Sequence, residues 1–118
     1  MCGIFGYLGK SNAFKICLDS LKQLEYRGYD SAGIAGIDNG QLVVCKEVGK
    51  VDGLKKAVEG IDLSLAISHT RWATHGKPTL LNTHPHLDES KTVAVVHNGI
   101  IENYTTLKKT LQGTSFYS

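Results

Sequence analysis

Ser31-Ala32-Gly33-Ile34-Ala35-Gly36-Ile37-Asp38-Asn39-Gly40-Gln41-Leu42-Val43-Val44-Cys45-Lys46-Glu47-Val48 decides the fold class. Its two apolar halves read as strands over Ser31 to Asp38 and Gln41 to Val48. Asp38-Asn39-Gly40 between them is a tight turn, because Asn-Gly supplies the positive φ angles that a two-residue hairpin demands. The stretch is therefore an antiparallel hairpin. Around it lie helical patterns. Phe14, Cys17, Leu18, Leu21 and Leu24 recur at helical spacing, with Ser11 or Asn12 as N-cap and Gly28 just past the end. Val51, Leu54 and Val58 predict a short amphipathic helix closed by Gly60, and Tyr104, Leu107 and Leu111 a last one capped by Asn103. Cys2 to Leu8 reads as a short buried strand, and Leu63 to Ser68 and Thr92 to Val96 as two more. Helices mixed with antiparallel strands make this an α+β or layered mixed fold.

At 118 residues the chain is of single-domain size. Apolar residues at 42% and charged residues at 20% are a globular balance, not a disordered one. The net charge of +2 is spread along the chain, which argues against a nucleic-acid surface. No apolar run reaches the ~20 residues that span a bilayer, and no secretory signal opens the chain. Cys2, Cys17 and Cys45 form no CxxC pair, so reduced thiols in the cytoplasm are expected.

The segment His69 to Ser90 is rich in His, Thr, Pro and Asn. It reads as a long loop too polar and irregular for core, and such loops are usually functional. Within it, Arg71 has the fork geometry to hold a carboxylate, Thr74 and His75 add hydrogen-bond donors, and Trp72 beside Gly76 suits a lid that excludes water. The bland reading is a surface loop with a half-buried Trp and a structural Arg. Met1-Cys2-Gly3 is the second site of interest. A small second residue lets Met1 be removed, which leaves Cys2 with a thiol and a free α-amine. An α-amine ordinarily titrates at about 7.7–8.0, so it suits proton transfer at neutral pH. N-terminal nucleophiles activate their own side chain in this way. The plain alternative is that Cys2 only begins the first strand. His97-Asn98-Gly99 sits where a strand breaks toward a helix. There the Asn98 amide and the Gly99 N–H suit an oxyanion hole, although Asn-Gly is also a common hairpin turn. The five histidines suggest a metal site centred on His84-Pro85-His86, but their spacing matches no helix-borne pair. No metal and no cofactor are expected. Cys17 and Cys45, on apolar faces, are expected to be inert core thiols.

Cys2-Gly3-Ile4-Phe5-Gly6, Leu24 to Gly33 (LEYRGYDSAG), His69 to Gly76 (HTRWATHG) and His97 to Asn103 (HNGIIEN) occur in one order along the chain. Together they resemble the N-terminal glutaminase domain of the glutamine–fructose-6-phosphate aminotransferase (isomerizing) family, also called glucosamine-6-phosphate synthases, from Cys2 to Ser118. The opening Cys-Gly-Ile is common to class II glutamine amidotransferases, whereas the second and third stretches are particular to this family. Amidophosphoribosyltransferase, asparagine synthetase and glutamate synthase carry other residues there. The resemblance implies an N-terminal-nucleophile hydrolase fold, a four-layer α/β/β/α sandwich of which residues 1–118 cover the first part. It makes Cys2 the nucleophile on the glutamine side-chain amide, its α-amine the base, and Asn98 and Gly99 the oxyanion hole. Arg71 then holds the α-carboxylate, Trp72, Thr74 and His75 lie close by, and Arg27 and Gly28 line the site. Glutamine is the implied substrate. Fructose 6-phosphate enters through a sugar-isomerase domain that residues 1–118 lack, and the full-length family member is expected to be a homodimer. In the family an acidic stretch follows the position of Ser118 and supplies an Asp for the substrate amine, so residues 1–118 alone are expected to be a weak glutaminase. Two other readings remain: a metal-binding regulatory module on the histidines, and a non-catalytic binding fragment that keeps only the fold.

Overall fold

The computed structural model describes residues 2–25, 30–72 and 77–114. The elements run β1 (Gly3–Leu8), α1 (Ala13–Leu24), β2 (Ser31–Asp38), β3 (Gln41–Val48), a 3-10 turn (Val51–Leu54) leading into α2 (Lys55–Val58), β4 (Leu65–Arg71), β5 (His86–Leu87), β6 (Ala94–Val95) and α3 (Tyr104–Thr110). The fold is α+β. One sheet has the strand order β1-β4-β2-β3 and is antiparallel throughout; β5 and β6 pair as a separate short hairpin.

The hairpin at residues 31–48 forms as its sequence demands, with Asn39 at φ 50° and Gly40 at φ 79°. Helix α1 begins where Asn12 satisfies a free end: its Oδ1 accepts the Phe14 N–H at 3.2 Å. The Asn12 amide nitrogen also donates to the Ile61 carbonyl at 2.7 Å, which ties the helix start to the segment before β4. One face of α1 buries Phe14, Cys17, Leu18 and Leu21 against the sheet residues Ala32, Ile34, Cys45 and Ala66. Each large apolar side chain so buried stabilises the fold by about 1.5–3 kcal/mol. The Asn103 side chain makes no capping bond to α3, contrary to expectation, and every residue of that helix is exposed.

Two sequence expectations are corrected here. Strand β1 is not buried: it pairs only with β4, its side chains alternate, and Ile4 and Leu8 on the face away from α1 are exposed. The strand expected at Leu63 to Ser68, β4, starts two residues late and runs to Arg71, so His69 and Thr70 are fully buried and Arg71 nearly so. The first three residues after Ser68 are thus core, while residues 77–81 are exposed. Paired backbone and the His69–Asn98 bond absorb part of the polarity that suggested a loop, and His69 Nδ1 and Thr70 Oγ1 are buried without a partner among the described residues.

Strand β2 is buried on both faces from Ser31 to Gly36, and apart from Ile34 its residues there are small. A Cβ at Gly36 would lie 2.6 Å from the Phe14 ring on the α1 side. A Cβ at Gly33, on the opposite face, would lie 2.0 Å from the His84 carbonyl oxygen. Glycine at position 33 therefore lets the 83–86 segment press flat on the sheet, with Thr83 and Pro85 buried beneath it. Beyond β5, Asp88 closes the connection to β6 by accepting the Thr92 and Val93 N–H groups at 2.7 and 2.8 Å. Gly33→Ala should cost about 1–3 kcal/mol through this backbone clash. Gly6→Ala, whose Cβ would meet only ordinary contacts at 3.7 Å, should cost little. Denaturant unfolding of the two variants checks this; equal stabilities would contradict it.

Candidate functional site

The register pairs Gly3 with Thr70 and Ile4 with His69. Side chains alternate along a strand, so Cys2, His69 and Arg71 all belong to the sheet face away from α1. Cys2 precedes β1 and is held by the backbone just past β4: the Trp72 N–H donates to its Sγ at 3.3 Å, and Sγ lies 3.6 Å from the Trp72 carbonyl. Trp72 is 49% exposed, so its side chain lies outside the core.

The 83–99 segment brings the other half. Asn98 donates from Nδ2 to the Cys2 carbonyl oxygen at 3.2 Å, and its Oδ1 lies 2.7 Å from His69 Nε2. An imidazole nitrogen next to a carbonyl oxygen must donate, so His69 is the Nε2–H tautomer or the cation. Burial, followed by the charges of His86 and Arg71, holds it below the ordinary imidazole range although the Asn98 bond and Asp30 oppose this, and it is therefore neutral. Gly99 follows at φ 141°, a conformation suited to glycine, and a Cβ there would lie 3.2 Å from the His97 ring.

Arg71 is 8% exposed. One guanidinium nitrogen donates to the Lys77 carbonyl at 3.1 Å, and its own carbonyl accepts the Asp30 N–H at 2.6 Å. It is thus anchored at the sheet end, on the face that carries Cys2. Arg27, Gly28, Thr74 and His75 lie outside the described residues.

Three of the five histidines behind the metal reading pack ring against ring, one pair stacked and one tilted. The His69 and His84 rings lie 4.0 Å apart at 22°, and the His84 and His86 rings 4.2 Å apart at 53°. Among the described residues no group of three or more potential ligands is arranged to hold a metal. Cys17 and Cys45 are buried and unpaired, and burial pushes both thiols up, which keeps them protonated and unreactive. Apart from its place among the five histidines, the sequence marks His69 only as the start of a motif and assigns it no role in the reaction. Its place on β4, two residues before Arg71 and so on the same face, is the signal that could have found it.

No protein-family model matches the chain. Among solved structures, the glutamine phosphoribosylpyrophosphate amidotransferase from B. subtilis complexed with ADP and GMP superposes with a TM-score of 0.79 at 31% identity. It covers 98% of this chain and 26% of its own. A structure described as the allosteric regulatory enzyme of purine biosynthesis gives 0.82 at 32%, with the same coverage. The fold is that of the N-terminal-nucleophile amidotransferases.

Curated relatives narrow the class. The glutamine–fructose-6-phosphate aminotransferase (isomerizing) of Chlamydia abortus is 59% identical over 122 residues, covering 100% of this chain and 20% of that one. The same enzyme of Aquifex aeolicus is 57% identical, covering 100% and 21%. Over its whole length this chain is similar to the N-terminal part of the glutamine–fructose-6-phosphate aminotransferases (isomerizing), and it spans about a fifth of the length of these curated relatives.

Burial, then the neighbouring charges of His69, His86, Arg71 and His97, pushes His84 down to about 3. An unfolded chain binds that proton at about 6.5. Between the two values the unfolded state carries more protons, so stability is full above about 6.5 and is lost as pH falls toward 3. The thermal midpoint should therefore drop between pH 7.5 and pH 5, and drop less in His84→Gln. An identical pH dependence in the two proteins would show that His84 is not held neutral.

Proposed function

We propose that the thiol of Cys2, exposed with a free α-amine once Met1 is removed, hydrolyses the side-chain amide of glutamine to glutamate and ammonia. The observation that carries this reading is the contact of Asn98 with Cys2: a chain-distant amide donor is bonded to the residue that bears the thiol. The family resemblance supports the same chemistry.

The α-amine takes the thiol proton through a water, and Sγ adds to the amide carbon of glutamine. The carbonyl oxygen becomes an oxyanion. One Asn98 Nδ2–H is engaged by the Cys2 carbonyl, and the second, with the Gly99 N–H, receives the developing charge. The C–N bond breaks, the amine returns its proton to the leaving nitrogen, and ammonia departs. Water then attacks the γ-glutamyl thioester, releasing glutamate and the free thiol. Arg71 holds the substrate carboxylate, and Trp72 covers the site. The family resemblance gives Thr74, His75, Arg27 and Gly28, which lie outside the described residues, a part in binding the substrate.

In this reading, residues 1–118 form the first part of the glutaminase domain. The ammonia is used by a sugar-isomerase domain of the longer polypeptide to convert fructose 6-phosphate to glucosamine 6-phosphate. The full-length protein is a cytoplasmic homodimer. Unpaired cysteines and sugar-phosphate chemistry fit the cytoplasm; of the described residues, no helix is long and apolar enough to cross a membrane.

Ammonia release from glutamine by the longest natural polypeptide carrying this sequence tests the proposal. Cys2→Ala should abolish it, while Cys17→Ala and Cys45→Ala retain it. Asn98→Ala should lower turnover roughly 10²–10³-fold at little changed KM, because the donor acts in the transition state. Activity in Cys2→Ala equal to wild type would remove the cysteine from the mechanism.

A further inference from the structure

Asn98 can serve an oxyanion only if its amide is turned the right way round. An amide has two nearly isosteric ends, one donating and one accepting, and a half-turn about the terminal bond exchanges them. Two contacts decide the matter here. Nδ2 faces the Cys2 carbonyl at 3.2 Å, and Oδ1 faces His69 Nε2 at 2.7 Å. The reversed amide would oppose oxygen to oxygen at Cys2 and N–H to N–H at His69. Of the two, the His69 contact is the shorter, and its donor cannot move.

The ring is fully buried in the central part of the sheet and stacked 4.0 Å from His84. His84 is anchored in turn: its carbonyl lies over Gly33, and its Nδ1 accepts the His97 N–H at 3.4 Å. The other ring nitrogen of His69, Nδ1, is buried and has no hydrogen-bond partner among the described residues. A buried polar atom left without a partner is costly, so the fold is retaining imidazole here for its Nε2–H.

We propose that His69 is a positioning residue for the glutaminase reaction: its Nε2–H fixes the Asn98 amide so that Nδ2 faces Cys2 and the oxyanion forming beside it. The inference rests on the reading of Cys2 as nucleophile and Asn98 as oxyanion donor. His69 transfers no proton to substrate, because the nitrogen that donates is occupied by Asn98 and the other is enclosed.

The test is a double-mutant cycle on glutamine hydrolysis in the longest natural polypeptide, with Met1 removal checked by mass spectrometry. His69→Phe keeps the ring volume and removes the donor. It should lower kcat by roughly one to two orders of magnitude and leave KM within about threefold, since the lost orientation matters most in the transition state. His69→Gln, whose amide N–H can reach Asn98, should recover much of the loss. Asn98→Ala combined with His69→Phe should be no slower than Asn98→Ala alone, because one residue acts through the other. Effects that multiply, or a wild-type kcat in His69→Phe, overturn the positioning role while a dead Cys2→Ala leaves the glutaminase reading standing. A Cys2→Ala protein that still hydrolyses glutamine overturns both. Nitrogen NMR of the histidines reads the wild-type protein directly and does not depend on whether a variant folds. A neutral Nε2–H tautomer at His69 across pH 6–8 is expected, and an Nδ1–H tautomer would overturn the proposal.

Discussion

The close approach of the His84 carbonyl to Gly33 is the contact on which the site depends. Strand β2 is buried on both faces from Ser31 to Gly36, and at Gly33 and Gly36 it achieves this by giving up side-chain volume. Gly36 lets the Phe14 ring settle from one side, and Gly33 lets the 83–86 segment settle from the other. Glycine in a strand interior weakens it by itself, roughly 0.5–1 kcal/mol relative to alanine. Here that cost is offset by what the gap admits. Once the 83–86 segment lies on the sheet, His84 stacks on His69, and the chain after β6 is carried toward the N-terminus.

The consequence is a site assembled from parts far apart in sequence. Cys2 stands at the entry to β1, Trp72 at the exit of β4, and Asn98 on the crossing after β6; the hydrogen bonds joining them span 70 and 96 residues. Each is a single bond worth about 0.5–1.5 kcal/mol net, too little to order three segments alone. The ordering comes from the sheet register, which pairs Gly3 with Thr70, and from the layer of imidazole rings that the 83–86 segment presses on β4. The site is therefore rigid where the sheet supports it, at Cys2, His69 and Arg71.

Much of the architecture was legible in the sequence because local signals agreed. Asn39-Gly40 marks one hairpin, Ser11 or Asn12 marks the start of α1, where the structure uses Asn12, and the helical apolar spacing chooses the face that meets the sheet. Cys2, Arg71 and Asn98 were picked as functional candidates from chemistry and family resemblance, and the structure brings Cys2 and Asn98 into contact. The miss at β4 and the segment after it has one physical reason: polarity does not mean exposure. His69, Thr70 and Thr83 are polar yet fully buried. Thr83 donates its hydroxyl to the Thr79 carbonyl four residues back at 2.7 Å, and His69 bonds Asn98, a pairing that depends on tertiary contact and leaves no periodic trace. In β1 the error ran the other way, because apolar Ile4 and Leu8 suggested burial on a strand whose outer face is open.

The central claim is that Cys2, as the first residue of the processed chain, attacks the glutamine amide carbon. The most direct measurement is to quench the protein during turnover with glutamine at acid pH, where thioesters persist, and to map the modified peptide by mass spectrometry. The account predicts one glutamyl group on the sulfur of an N-terminal peptide that begins at Cys2 with a free amine. A glutamyl group on Cys17 or Cys45, or full turnover by protein that still carries Met1, would contradict it.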